Sequence, residues 1–164
     1  MRFTLEQTLP GAVDDVLEAL LDPEFLACLG DLPNLDHPEV LDQARDGDRV
    51  VQRVRYRFTG SLSPAVTRVI DPAKVTWIDE TTYDLAARAA TFRVLPDHYP
   101  GKLRCEGTYT FTAQDGSTVR RSDGDLVVKA PLVGRIVERA ILGGLREHFA
   151  TESDLLAEWL EVNP

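Results

Sequence analysis

The stretch LRCEGTYTFTAQDGSTVRRSDGDLVVKAPLVGRIVERAILGGLREHF, residues 103–149, holds the change of period on which the fold turns. Leu103, Cys105, Gly107, Tyr109 and Phe111 share one parity against Arg104, Glu106, Thr108, Thr110 and Thr112, the alternation of a strand with one dry face and one wet face. Asp115-Gly116 marks a hairpin, and a second strand follows from Thr118 to Lys129. After Ala130-Pro131 the apolar residues recur as Val133, Val137, Ile141, Leu145, Phe149, Leu156 and Leu160, which predicts an amphipathic helix of roughly 30 residues.

Upstream, Phe3, Leu5 and Leu9 alternate with Thr4, Glu6 and Thr8 in a first strand ended by Pro10-Gly11. Val13, Val16, Leu17, Leu20 and Leu21 then fall at helical spacing, and Asp22-Pro23-Glu24 starts a second short helix with Phe25, Leu26 and Leu29. Strands are expected at 39–44 and 49–59 around the turn Asp46-Gly47, and at 75–83 and 88–95. Ser61-Leu62-Ser63-Pro64 begins a helical turn through Ile70, ended by Asp71-Pro72. The gaps between strands are short, so neighbours pair antiparallel. The result is one α+β domain over residues 1–164, a seven-stranded antiparallel sheet covered by a long C-terminal helix in the order β-α-α-β6-α.

A chain of 164 residues buries roughly 70% of its unfolded surface and needs no staples. A net charge of −9 and a pI near 4.8 disfavour phosphate backbones and anionic membranes. Arg49, Arg53, Arg55 and Arg57 form a basic stripe on one strand, expected to pair with acids such as Asp42 and Glu80 rather than with nucleic acid. Cys28 and Cys105 lack metal or redox spacing and read as buried thiols. His37, His98 and His148 have no partner at metal spacing, and no phosphate loop, dinucleotide fingerprint or nucleophile elbow is present, so no metal, cofactor or catalytic residue is assigned. No apolar run has transmembrane length and the first residues lack a signal-peptide core, which predicts a cytoplasmic protein without stable membrane insertion. The oligomeric state is not legible.

The element order resembles the helix-grip fold of the START and birch-pollen-allergen superfamily, which includes polyketide cyclases and aromatases. Tyr56-Arg57-Phe58-Thr59-Gly60, Val75-Thr76-Trp77, Pro96-Asp97-His98-Tyr99-Pro100 and Pro131-Leu132-Val133-Gly134 resemble the signature stretches of a bacterial branch of unknown function. The resemblance implies a strongly bent sheet gripping the terminal helix around an apolar cavity for a hydrophobic small molecule. It carries over no catalytic residue.

If the sheet wraps in this way, Val54, Tyr56, Phe58, Phe92, Val94, Cys105, Tyr109 and Phe111 face the space below the helix, either as core or as the lining of a ligand cavity. Trp77 and Tyr83 admit the same two readings. On the helix, Val137, Ile141, Leu145 and His148 face inward, and Gly143-Gly144 marks either a closely packed neighbour or room for a guest, since glycine there costs about 1 kcal/mol relative to alanine. Arg121 and Asp123, on one parity with Asp125, either set a charge pair in the cavity wall or lie outward beside a bulge at Gly124. Three functions follow: a non-catalytic carrier of a hydrophobic or amphipathic molecule, a cyclase-like enzyme using the same cavity, or a protein-interaction module with a filled interior.

Overall fold

The structure, a computed structural model, describes residues 1–36 and 38–164, so His37 lies outside the described residues. β1 (Arg2–Pro10) alternates exposed and buried residues and turns Phe3, Leu5, Gln7 and Leu9 inward. α1 (Val13–Leu20) follows, then α2 (Pro23–Cys28), whose Asp22 carboxylate accepts the Glu24 N–H at 2.9 Å and whose first residue is the proline that needs no donor there. β2 (Glu39–Asp46) and β3 (Arg49–Arg57) form the expected hairpin. α3 (Pro64–Thr67) is a single turn and does not run on to Ile70. Asp71-Pro72, expected only to end it, instead caps a separate 3-10 turn over Pro72–Lys74.

The remaining strands, β4 (Thr76–Asp84), β5 (Ala89–Pro96), β6 (Leu103–Gln114) and β7 (Ser117–Val128), lead into α4 (Gly134–Val162). All pairings are antiparallel, in the spatial order β1-β7-β6-β5-β4-β3-β2. Gly107 of β6 pairs directly with Gly124 of β7, so no bulge lies there; the register shift falls in β2, between Val40 and Asp42. A Cβ on Gly107 would stand 2.2 Å from the Asp123 carbonyl oxygen, and one on Gly124 2.5 Å from the Phe3 ring. Only a glycine pair lets three strands draw this close.

α4 lies along β1 and β7, while α1 and α2 close one end of the sheet. The core accordingly has two parts. One joins α1, α2, Val50, Val54, Phe111 and Leu156 at the closed end; the other joins Phe3, Leu5, Phe92, Leu126, Leu142 and Phe149. The buried line of α4 is Glu138, Leu142, Phe149, Glu152 and Leu156, turned from the expected stripe: Ile141 is 36% exposed, and Val137, Leu145 and Leu160 are half-buried. Two of its five members are acids, which apolar periodicity does not count.

Candidate functional site beneath the terminal helix

Strand register decides which side chains meet on the concave face. Tyr56 pairs with Trp77, Val54 with Asp79, Gln52 with Thr81 and Val50 with Tyr83; across β4 and β5, Asp79 pairs with Val94 and Thr81 with Phe92; Val94 in turn pairs with Cys105. At the closed end this face is fully buried, as at Val50, Ala90 and Phe111. At the other end Trp77, Asp79, Val94, Leu103 and Cys105 are only half-buried. The same gradient runs along one strip of α4. Trp159 meets Phe25 of α2 at 5.8 Å between ring centroids and His148 meets Tyr56 of β3 edge-on at 6.3 Å, but a Cβ at Gly144, one turn earlier, would find no atom within 4 Å. Toward its N-terminus the helix stays seated on β7, where the Glu138 carboxylate accepts from the Val128 N–H.

A buried ion pair sits midway. Arg120, opposite Gln7 on β1 and Phe111 on β6, bonds Glu152 of α4 through Nη2, and its guanidinium lies 4.2 Å from the Phe149 ring centroid and 5.2 Å from that of Tyr109. Burial opposes both charges, but each holds the other: Glu152 stays below the usual carboxylate range and Arg120 above its own. The Gln7 amide donates to the Phe149 carbonyl and to Glu152, tying β1 to the helix. Gln7 Oε1, Arg120 Nε and Ser122 Oγ are buried without a hydrogen-bond partner among the described residues. Such atoms are costly unless something else satisfies them.

Asp79 differs from Glu152 in having no cation. Its carboxyl makes no hydrogen bond or ion pair among the described residues, and burial pushes it up to about 7. Burial also raises the hydroxyls of Tyr56, Tyr83 and Tyr109, with the Asp79 charge adding to the shift, and lifts the Cys105 thiol to about 12. Burial lowers His148, so the imidazole is held neutral. Tyr56 stacks on Trp77 at 5.9 Å and Tyr109 on Phe92 at 4.5 Å, on the same face of the sheet as the carboxyl.

Several expected site residues lie elsewhere. Arg121 and Asp123 are on the outer parity of β7, where Arg121 pairs with Asp123 at 2.8 Å and with Glu6 at 3.4 Å. The inward arginine is its neighbour Arg120. Val54 and Phe111 belong to the packed core of the closed end, and Phe58 leaves the strand to pair with Leu35. Cys28, expected buried, is exposed on α2. Two of the four arginines of the basic stripe pair with acids, Arg53 with Asp42 and Glu80 as expected and Arg55 with Asp97. Asp79, Arg120, Glu152 and Gln7 escaped the sequence reading. Asp79 shares parity with Trp77 and Tyr83, and Glu152 interrupts an apolar stripe between Phe149 and Leu156; both were signals available in the residues. Two hollows, of about 480 Å³ and 550 Å³, border this region, the first reaching Phe92 and the second Gln7 and Phe149. One is among Glu80, Thr91, Arg93 and Glu106 on the convex side, the other between Thr4, Glu6, Arg146 and Asp154. Ionic side chains line both, and the second also takes in Gln7, whose Oε1 has no hydrogen-bond partner among the described residues.

The profile of a family described as Protein of unknown function (DUF2505) matches residues 4–160. The chain belongs to this family. Solved structures similar to this DUF2505 chain include TTHA0849 from Thermus thermophilus, at 20% identity over 100% of both chains with a TM-score of 0.68. The Zhui aromatase/cyclase from Streptomyces sp. R1128 is similar at 17% identity over 96% of this chain and 92% of that one, TM-score 0.65. Ara h 8.0201 is similar at 15% identity, covering 96% and 98%, TM-score 0.62. These likenesses show the helix-grip fold expected from the order of elements. No curated protein matches the chain. No helix among the described residues is long and apolar enough to cross a membrane.

Proposed function

We propose that this domain is a cytoplasmic, non-catalytic binding or carrier module for a hydrophobic or amphipathic small molecule, held between the N-terminal half of α4 and the concave face of β3 to β6. One observation supports this above the others: the Asp79 carboxyl, half-buried on the concave face at one end of the sheet, has no hydrogen-bond or ion-pair partner among the described residues, while the other end is packed. Rings of Tyr56, Trp77, Tyr109 and Phe92 supply the apolar contact, and the few polar groups among them orient the guest. Val137, Ile141, Gly144 and Leu145 form the helix side of the same site, with His148 at its inner limit. Native mass spectrometry of protein purified from its own host is expected to show an adduct of a small apolar compound. A protein that arrives empty and takes up neither fatty acids nor hydrophobic dyes overturns the reading.

A cyclase-like reading is favoured by a different observation, that the Asp79 carboxyl titrates at about 7 beside tyrosine hydroxyls, near the optimum for moving protons at neutral pH. Turnover of a poly-β-keto thioester that Asp79→Asn abolishes, with uptake of the substrate retained, is the result that would replace carriage by catalysis.

A further inference from the structure

Arg120 and Glu152 neutralise each other by direct contact, and among the described residues Asp79 is the inward carboxyl of the sheet that has no cation beside it, as Glu138, bonded to the Val128 N–H, is on α4. Register places Asp79 in the middle of the concave face, flanked by Val54 and Val94, with Tyr56 and Trp77 on one side and Tyr83 and Tyr109 on the other. A carboxylate among apolar side chains is poorly solvated, and the deficit is met by a proton or by a cation. Aromatic faces carry negative charge density and attract cations, so the rings act in the same sense as the carboxylate. An anionic guest would instead meet Asp79 with like charge, and Arg120, the inward cation, already has Glu152 as its partner.

We infer that the guest of this site is an organic cation, an apolar or aromatic body bearing a protonated amine whose ammonium pairs with Asp79 within the cage of Tyr56, Trp77 and Tyr109. The inference rests on the binding reading above and adds the charge of the ligand to it. It also implies a pH dependence. Among the groups that face Asp79, Tyr56 on β3, Tyr83 on β4, and Cys105 and Tyr109 on β6 all keep their protons well above neutrality, and Arg120 on β7 with Glu152 on α4 stays ionised. Burial lowers His148 of α4, so of these groups Asp79, pushed up to about 7, is the one that changes charge nearest neutrality.

The test compares three probes of one shape, 2-(1-naphthyl)ethylamine, 2-(1-naphthyl)ethanol and 3-(1-naphthyl)propionate, by calorimetry and Trp fluorescence on the full chain. The amine is expected to bind at least about tenfold tighter than the alcohol at pH 8, the size of one charge-assisted hydrogen bond, and the propionate weakest. Amine affinity should rise from pH 6 to pH 8 while alcohol affinity stays flat. Asp79→Asn should reduce the ratio of amine to alcohol affinity to within about twofold and abolish its pH dependence; the pH profile of the unaltered protein carries the test if that variant does not fold. Equal binding of amine and alcohol with no pH dependence overturns the cation inference and leaves the binding site standing. Binding of none of the three removes the site itself.

Discussion

The two ends of the concave face share strands, parity and a covering helix, yet they are finished differently. At the α1–α2 end, Val50, Phe25, Leu29 and Leu156 are fully enclosed in a closely packed hydrocarbon core. At the α4 N-terminal end, inward positions hold Trp77, Asp79 and Cys105, half-buried, with open space at Gly144. A domain of this size reaches its stability from part of its interior, so the rest is released from close packing and can hold groups that a core would reject. The difference puts the closely packed core and the unpartnered carboxyl of Asp79 at separate ends of one sheet.

Truncation separates the two ends most sharply. Leu156→Ala removes a side chain with no exposed surface and should cost about 2–5 kcal/mol in urea unfolding, as core truncations do. Ile141→Ala, on the same helix but exposed, should change stability by about 0.5 kcal/mol or less. Similar losses at both positions would mean that the open end is packed like the closed one.

A pH series tests the charge left at the open end. Asp79 has a folded pKa of about 7 against an ordinary 3.8, so between these values the folded protein holds a proton that the unfolded chain has lost. Stability from this group is therefore greatest below the unfolded value and declines as pH rises through the folded one. Asp79→Asn removes that dependence: the variant's melting temperature relative to the parent should be higher at pH 8 than at pH 5. An equal offset at both pH values would show that Asp79 is already solvated or paired.

The smallest effect is expected at Gly144→Leu. An added Cβ meets nothing within 4 Å, so no clash opposes the gain in helix propensity of up to about 1 kcal/mol, and the melting temperature should hold or rise slightly. If Gly144 borders the ligand space, uptake of a hydrophobic probe falls as well. A marked fall in melting temperature would mean that a neighbour closes on the helix there.

The order of elements was legible because each strand carries its own alternation and α4 changes the period to 3.6. The site was less so, and the misreading has a definite cause. Arg120 and Arg121 are adjacent, and a shift of one residue exchanges the faces of a strand. Leu126 and Val128 share parity with Arg120 and were the better guide to which arginine turns inward. Gly124, read as the side of a bulge, instead makes room for the Phe3 ring, a contact between residues far apart in the chain that no local pattern reports. The contrast between the ends follows from how α4 sits across strands distant in sequence, which is likewise a tertiary property.

Pairing of β1 with β7 also has a consequence in time. Phe3 lies opposite Gly124 and Leu5 opposite Ser122, so the first strand has no ladder partner until the last one exists. During synthesis β2 to β6 can zip in sequence, each onto its predecessor, while β1 waits with an unpaired edge and an apolar face. Loop closure over that span comes late and slowly. The interior is sealed only when β7 and then α4 arrive, so a guest present during synthesis meets an open trough before it meets a closed grip.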